Sequence, residues 1–136
     1  DMGIVGSSFN KIHVEKKAPV RGKVNVNSNV IIIDAKKSEL VWGKNKQNVL
    51  KIEFEYRTSY EPKIAEIMMS GELLYVATPE QIDTMEKSWT KDKQLGKEAT
   101  TEVLNHLLGK GTVEALILSR EMNLPPPVPM PQVNPK

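Results

Sequence analysis

Between Val49 and about Ser59 the chain alternates strictly. Leu50, Ile52, Phe54, Tyr56 and Thr58 fall on one side, and Lys51, Glu53, Glu55, Arg57 and Ser59 on the other. A period of two marks an antiparallel strand with one face buried and one wet. A second strand is predicted from Ile64 to Ala77. Ala65, Ile67, Met69, Gly71, Leu73, Tyr75 and Ala77 share one face, while Met68, Ser70, Glu72, Leu74 and Val76 leave the other partly apolar. The intervening Tyr60-Glu61-Pro62-Lys63 supplies a turn, so the pair reads as a hairpin. Weaker alternation precedes it. Phe9 to Lys17 places Ile12 and Val14 in phase, and Val20 to Ile33 does the same for Val20, Val24, Val26, Val30 and Ile32. Ile31 and Ile33 break that second pattern, which predicts a bulge or burial on both faces. Ala35 to Gln47 reads as a connection.

The period then changes. Thr78-Pro79-Glu80-Gln81 combines a capping threonine, a proline at the first helical position and the glutamine of a capping box. Ile82, Met85 and Trp89 follow as one helical stripe. Thr90 to Gly96 is polar and interrupts it. A longer helix is predicted from about Lys97 to Met122, with Leu104, Leu107, Leu108, Gly111, Ala115, Leu118 and Met122 at spacings of three and four. Gly109 and Gly111 each cost this helix about 1 kcal/mol relative to alanine, so they imply close packing or a kink. From Leu124 onward six of the nine prolines crowd between positions 125 and 135. That composition excludes helix and central strand and implies an extended tail. Leu124, Val128, Met130 and Val133 give the tail apolar side chains for packing. The expected architecture is α+β: an antiparallel four-stranded sheet with one short and one long helix packed on one side. Residues 1–123 form the domain and 124–136 the proline-rich tail.

Composition narrows the function classes. A chain of 136 residues fits one domain that folds without staples. The absence of cysteine excludes disulfides and thiolate zinc sites and suits a reducing, cytoplasmic setting. No apolar run approaches the roughly 18 residues that cross a bilayer, and the first ten residues are too polar for a signal peptide. The aspartate before Met2 reads as a residue left by cloning or cleavage. Nineteen basic and 17 acidic residues give a net charge of +2, and aromatics make up 5%. Neither the balance nor the scarcity of rings favours nucleic acid.

Catalytic chemistry is sparse. His13 sits on a candidate strand and His106 on the long helix between Glu102 and Lys110, which reads as a solvated face. Glu53 and Glu55 are flanked by Lys51 and Arg57, as on a charge-balanced sheet surface. The glycines never form a dinucleotide fingerprint, and Gly109-Lys110-Gly111-Thr112 lacks the upstream glycine and strand of a phosphate loop. No metal-ligand spacing and no cofactor motif is present. The chain therefore reads as a non-enzyme. What remains is apolar surface. Six methionines, adaptable in packing, include Met68 and Met85. Met68, Leu74 and Val76 lie opposite the core face of their strand, and Ile82, Met85 and Trp89 occupy a short helix between polar loops. If uncovered, both sets mark an interface.

The order of these elements resembles the SecB family of export chaperones. The likeness covers nearly the whole chain and rests on a Phe-x-x-Ile-x-Val start (Phe9, Ile12, Val14), the Ala65-Glu66-Ile67 and Gly71-Glu72-Leu73 pieces of the hairpin, and a long helix that runs into Leu124-Pro125-Pro126. The resemblance implies a homodimer or homotetramer that holds unfolded polypeptides in apolar grooves without ATP and keeps them competent for export. It implies client contacts at Met68, Leu74, Val76, Ile82, Met85 and Trp89, and sheet or subunit packing through Leu107, Leu108, Gly111 and Leu118. Family members dock the export motor on an acidic sheet face. Here Lys51, Glu53, Glu55 and Arg57 make that face nearly neutral, which argues against motor docking and leaves client holding in place. The alternative reading is a non-enzymatic adaptor or assembly subunit that binds one folded protein partner, with the proline tail as a recognition element.

Overall fold

The computed structural model describes residues 2–127. Four strands precede two helices: β1 (Gly3–Lys16), β2 (Asn25–Trp42), β3 (Asn45–Glu61), β4 (Ala65–Val76), α1 (Pro79–Asp92) and α2 (Lys97–Glu121). The strands form one antiparallel sheet in the order β1-β4-β3-β2, so the expected hairpin is its centre and β1 and β2 are its edges. The fold is the α+β arrangement that the periodicities predict.

Three boundaries differ from the sequence reading. β2 begins at Asn25 rather than Val20, so Val20 and Val24 precede the strand. β1 begins at Gly3 rather than Phe9, and Ala35 to Gln47 is not a connection but the end of β2, a tight Gly43-Lys44 turn and the start of β3. Lys36, Lys37, Ser38 and Glu39 are all exposed, because this part of β2 lies on the sheet edge, and an edge strand exposed on both faces carries no alternating signal. Gly43 takes a positive φ of 61°, which such a two-residue turn requires. The bulge expected near Ile33 is present: the register of β2 on β3 shifts between Ile32 and Asp34, and Ile31 and Ile33 are exposed.

Thr78 caps α1 as its sequence demands. Its hydroxyl accepts from the Gln81 amide at 3.2 Å, and the Gln81 side chain accepts from the Thr78 amide at 2.9 Å. The core lies between the sheet and the helices in two halves. In one, Leu50, Ile52, Phe54, Leu73 and Tyr75 are covered by both α1 and the first half of α2. In the other, Tyr56, Tyr60, Ile67 and Met69 pack with Ala115 and Leu118 of the second half of α2 and with Met122 and Leu124 just beyond it. A buried polar chain crosses the second half: Ser28 to Thr58 at 2.8 Å, Thr58 to the Tyr56 hydroxyl at 3.4 Å, and Tyr56 on to Thr112 of α2 at 3.4 Å.

Helix α2 reaches the sheet through Gly111. A Cβ built there would sit 2.3 Å from Cδ2 of Tyr56, whereas one built on Gly109 meets nothing within 4 Å. The two glycines therefore differ in purpose. Gly111 admits the tyrosine ring and Gly109 faces outward. Beyond α2 the chain turns through Asn123, which has a φ of 53°. The Leu124 amide donates to Ser119 at 2.8 Å, and the Tyr60 hydroxyl donates to the Pro125 carbonyl at 2.7 Å. Burial pushes the Tyr60 hydroxyl up to about 12, opposed by its contact with Ser119 and reinforced by Tyr56.

Two predictions follow from this packing. Gly111→Ala should destabilise the protein by about 1–3 kcal/mol through overpacking, while Gly109→Ala should stabilise it by up to about 1 kcal/mol. Urea unfolding of the two variants reads the contrast. Because Tyr60 holds its proton more tightly folded than unfolded, its contribution is complete below about pH 10 and falls away as pH rises towards about 12. Alkaline unfolding of Tyr60→Phe should show a shallower loss of stability across that window than the native protein; identical slopes would contradict the assignment.

Candidate functional site

The residues expected to form one client groove lie on opposite faces of the sheet. Ile82, Met85 and Trp89 are buried at the α1–sheet contact, with Trp89 only 6% exposed. Amphipathic helices cover sheets with such a stripe, and this one is used within the protomer. The Trp89 indole donates to Asp34 at 3.3 Å. The outer side of α1 is tied to the β2 edge: Lys37 Nζ meets Asp83 at 2.6 Å, and the Lys37 amide donates to Glu86 at 2.6 Å. The hydrogen bond to Lys37 holds the Asp83 carboxyl below its usual range. Met68, Leu74 and Val76 are half-buried on the far, uncovered face. There they stand among charged neighbours. Lys51 pairs with Glu72 at 3.4 Å, and Arg57 bridges Glu55 at 2.8 Å and also Glu66. That face is a wet, charge-balanced surface, as Lys51, Glu53, Glu55 and Arg57 predicted, interrupted by single apolar side chains.

Of the residues expected at a subunit interface, Leu107 and Gly111 are buried against the sheet of the same chain. Leu118 is half-buried beside the second core half, and Leu108 is exposed. His106 is exposed but has a partner within the chain: its Nε2 lies 2.9 Å from the Ser7 hydroxyl. Lys110, one turn on, donates to the Ser7 carbonyl at 2.6 Å and stands 5.5 Å from the centre of the Phe9 ring. These contacts fasten α2 to β1. Among the described residues no three His, Cys, Asp or Glu side chains gather as a metal site. No helix among them is long and apolar enough to cross a membrane.

Val5, Ile31, Ile33, Val41 and Trp42 are exposed along the edge strands β1 and β2, and a second set of open apolar side chains flanks α2. On the β1 side an open groove of about 670 Å³ is lined by Ser7, Phe9, Ile12, Lys110, Val113 and Ile117. Val113 is 61% exposed, Ile117 54% and Ile12 46%, with Leu116 beside them. On the β2 side an open groove of about 300 Å³ is lined by Val30, Ile32, Trp89, Leu95 and Leu104, with Lys93, Gln94 and Thr100 beside them. Val26, Val30 and Ile32 are half-buried along β2, and so is Val24 just before it, so their stripe is incompletely covered. Both grooves border an edge strand. An edge carries backbone donors and acceptors with no strand beside them, so each site joins apolar side chains to a hydrogen-bonding rim.

The stripe assigned to α2 from sequence omitted Val113, Leu116 and Ile117. The signal for them was present. Val113, Ala115, Leu116, Ile117 and Leu118 are five apolar residues in six positions, which wraps apolar side chains around the whole helix rather than one face. A helix apolar on every side has a second contact to make.

No model of a known protein family matches the chain, and no curated protein does. Among solved structures, the SecB-like chaperone Rv1957 of Mycobacterium tuberculosis, in complex with a ChAD peptide from the HigA1 antitoxin, is similar over 99% of this chain and 93% of its own. The TM-score is 0.49 at 12% identity, a likeness too distant to bear on the assignment.

Proposed function

We propose that this protein is a chaperone-like, ATP-independent holder of unfolded or partly folded polypeptides, and that clients lie in the two grooves flanking α2. The observation that carries the reading is the exposed apolar surface of Ile12, Val113 and Ile117 on one side of α2, matched by the incompletely covered Val30, Ile32 and Leu104 on the other. Apolar contact contributes about 25 cal/mol per Å² without directional demands, so it accepts clients of varied sequence. Edge strands β1 and β2 add main-chain hydrogen bonds, which are also independent of client sequence. Such a mechanism needs neither nucleotide nor a catalytic group. Export is one use of this holding activity, in keeping with the sequence resemblance.

The β1-side groove also fits a second copy of the chain. Val113, Leu116 and Ile117 occupy the outward side of α2, as a helix-to-helix contact requires. In this reading a second copy would meet Val113, Leu116 and Ile117 rather than Leu107 and Gly111.

At stoichiometric concentration and without nucleotide, the protein should suppress aggregation of a chemically unfolded substrate. Leu104→Asp, on a half-buried position, and Ile117→Asp, on an exposed one, should each weaken client binding by about tenfold or more, the worth of one buried leucine-sized side chain. Saturable binding to one folded protein with no suppression of aggregation would replace this reading with the adaptor. If Ile117→Asp leaves client affinity intact but halves the solution mass, the β1-side groove belongs to a second copy.

A further inference from the structure

The outer edge of β2 and the groove beside it form one surface. Asn25 to Ile32 pairs with Glu61 to Phe54 without a shift, and among the described residues no strand pairs with its other side. Val26, Val30 and Ile32 are half-buried on one face of this stretch, and Val30 and Ile32 line the α2–β2 groove with Leu95 and Leu104. Asn25, Asn27 and Asn29 are exposed on the opposite face. Among the described lining residues Lys93 is the one charged side chain. It ends α1 with a left-handed backbone, φ 58°, and its Nζ stands 5.4 Å from the centre of the Trp89 ring. The carboxylate that accepts from the Trp89 indole, Asp34, is already engaged by the Ala35 amide at 2.9 Å and by Lys36 at 3.9 Å. Resting on the reading that the grooves hold polypeptide, we propose that the ligand of the α2–β2 groove is an extended segment of alternating apolar and polar residues with a carboxylate at one end, added to the sheet as a strand beyond β2 and read at that end by Lys93.

Three features select this ligand. An added strand takes main-chain hydrogen bonds from the edge and turns alternate side chains to opposite faces. One set falls in line with Val26, Val30 and Ile32 and enters the groove, so it is apolar. The other falls in line with Asn25, Asn27 and Asn29 and meets amides and water, so it is polar. A uniformly apolar segment would leave half of its side chains exposed there. The groove adjoins the strand at Val30 to Ile32, so Lys93 stands by that end of the added strand. A charge at the rim of an interface contributes little to affinity and more to the choice of partner. Apolar contact therefore sets the affinity, and Lys93 sets the direction and end chemistry of the ligand. Strand β1 offers no equal surface: register shifts at Ile4/Gly6 and Phe9/Lys11, and Lys110 bonded to the Ser7 carbonyl, interrupt its edge.

The test uses the full chain and fluorescent peptides of serine and valine in strict alternation, read by polarisation. One of the two glutamate-ended forms, N-terminal or C-terminal, should bind saturably and a few-fold more tightly than its lysine-ended counterpart, as an exposed ion pair allows. Lys93→Glu should reverse that preference. A scrambled peptide of the same composition should bind the native chain several-fold more weakly. N-methylation of one alternate set of amides should abolish binding and that of the other set should spare it, because only alternate amides of an added strand face the edge. Equal binding of alternating and scrambled peptides, equal loss from both N-methylated sets, or no preference for glutamate overturns the inference. If reduced, carboxymethylated α-lactalbumin still binds in those cases, the holding function survives without it; if neither peptide nor unfolded protein binds, both fall. Peptide binding that appears only as dilution halves the solution mass places a second copy on this edge and also overturns the inference.

Discussion

One helix cannot cover this sheet. Three spacings of about 4.8 Å separate its outer strands, and the strands themselves occupy further width, whereas a helix with side chains is about 10 Å across. Where both α1 and α2 lie on the sheet, Ile52, Phe54 and Leu73 are completely buried. Where α1 stops at Asp92, α2 alone spans the sheet. It is pressed down at the centre by the fit of Gly111 onto Tyr56, and the apolar side chains of both edges are left half covered. Phe9 and Ile12 on one side, and Val26 and Val30 on the other, are the direct result of that shortfall. The grooves are what the layer arrangement leaves over.

The same constraint explains what the sequence disclosed. Strands β3 and β4 were legible because each is central and has one face under a helix, which imposes strict alternation on Leu50 to Thr58. Helix α1 was legible from Thr78-Pro79-Glu80-Gln81, a local signal that does not depend on the rest of the fold. The second half of β2 was not legible. Lys36 to Glu39 are exposed on an edge, and no burial writes a period into them.

The site was less legible than the fold, because exposure is a property of the assembled layers. Ile82, Met85 and Trp89 have the same spacing whether α1 lies on the sheet or waits for a client. The structure lays the stripe on the sheet. Met68, Leu74 and Val76 did lie opposite the core face, as alternation predicts, but the ion pairs of Lys51, Glu72, Arg57 and Glu66 divide them into separate side chains. The informative residues were Val113, Leu116 and Ile117. Their message lay in an excess of apolar positions over what one contact face can use, and a reading that searches only for a stripe discards that excess.

A protein with two open sheet edges must also keep from pairing with itself, since exposed edges recruit other strands. The edges are blunted unequally. β1 has register shifts at Ile4/Gly6 and at Phe9/Lys11, and Lys110 occupies the Ser7 carbonyl, so it offers no long regular ladder. On β2, Glu86 occupies the Lys37 amide, and Lys36 and Lys37 add charge, which closes the half of the strand beyond the bulge. The stretch from Asn25 to Ile32 has an unbroken register and none of these guards. It is also the stretch that borders the α2–β2 groove. An unguarded edge beside an apolar groove is a liability in a chain with nothing to place there, and it becomes useful in one that holds extended polypeptide.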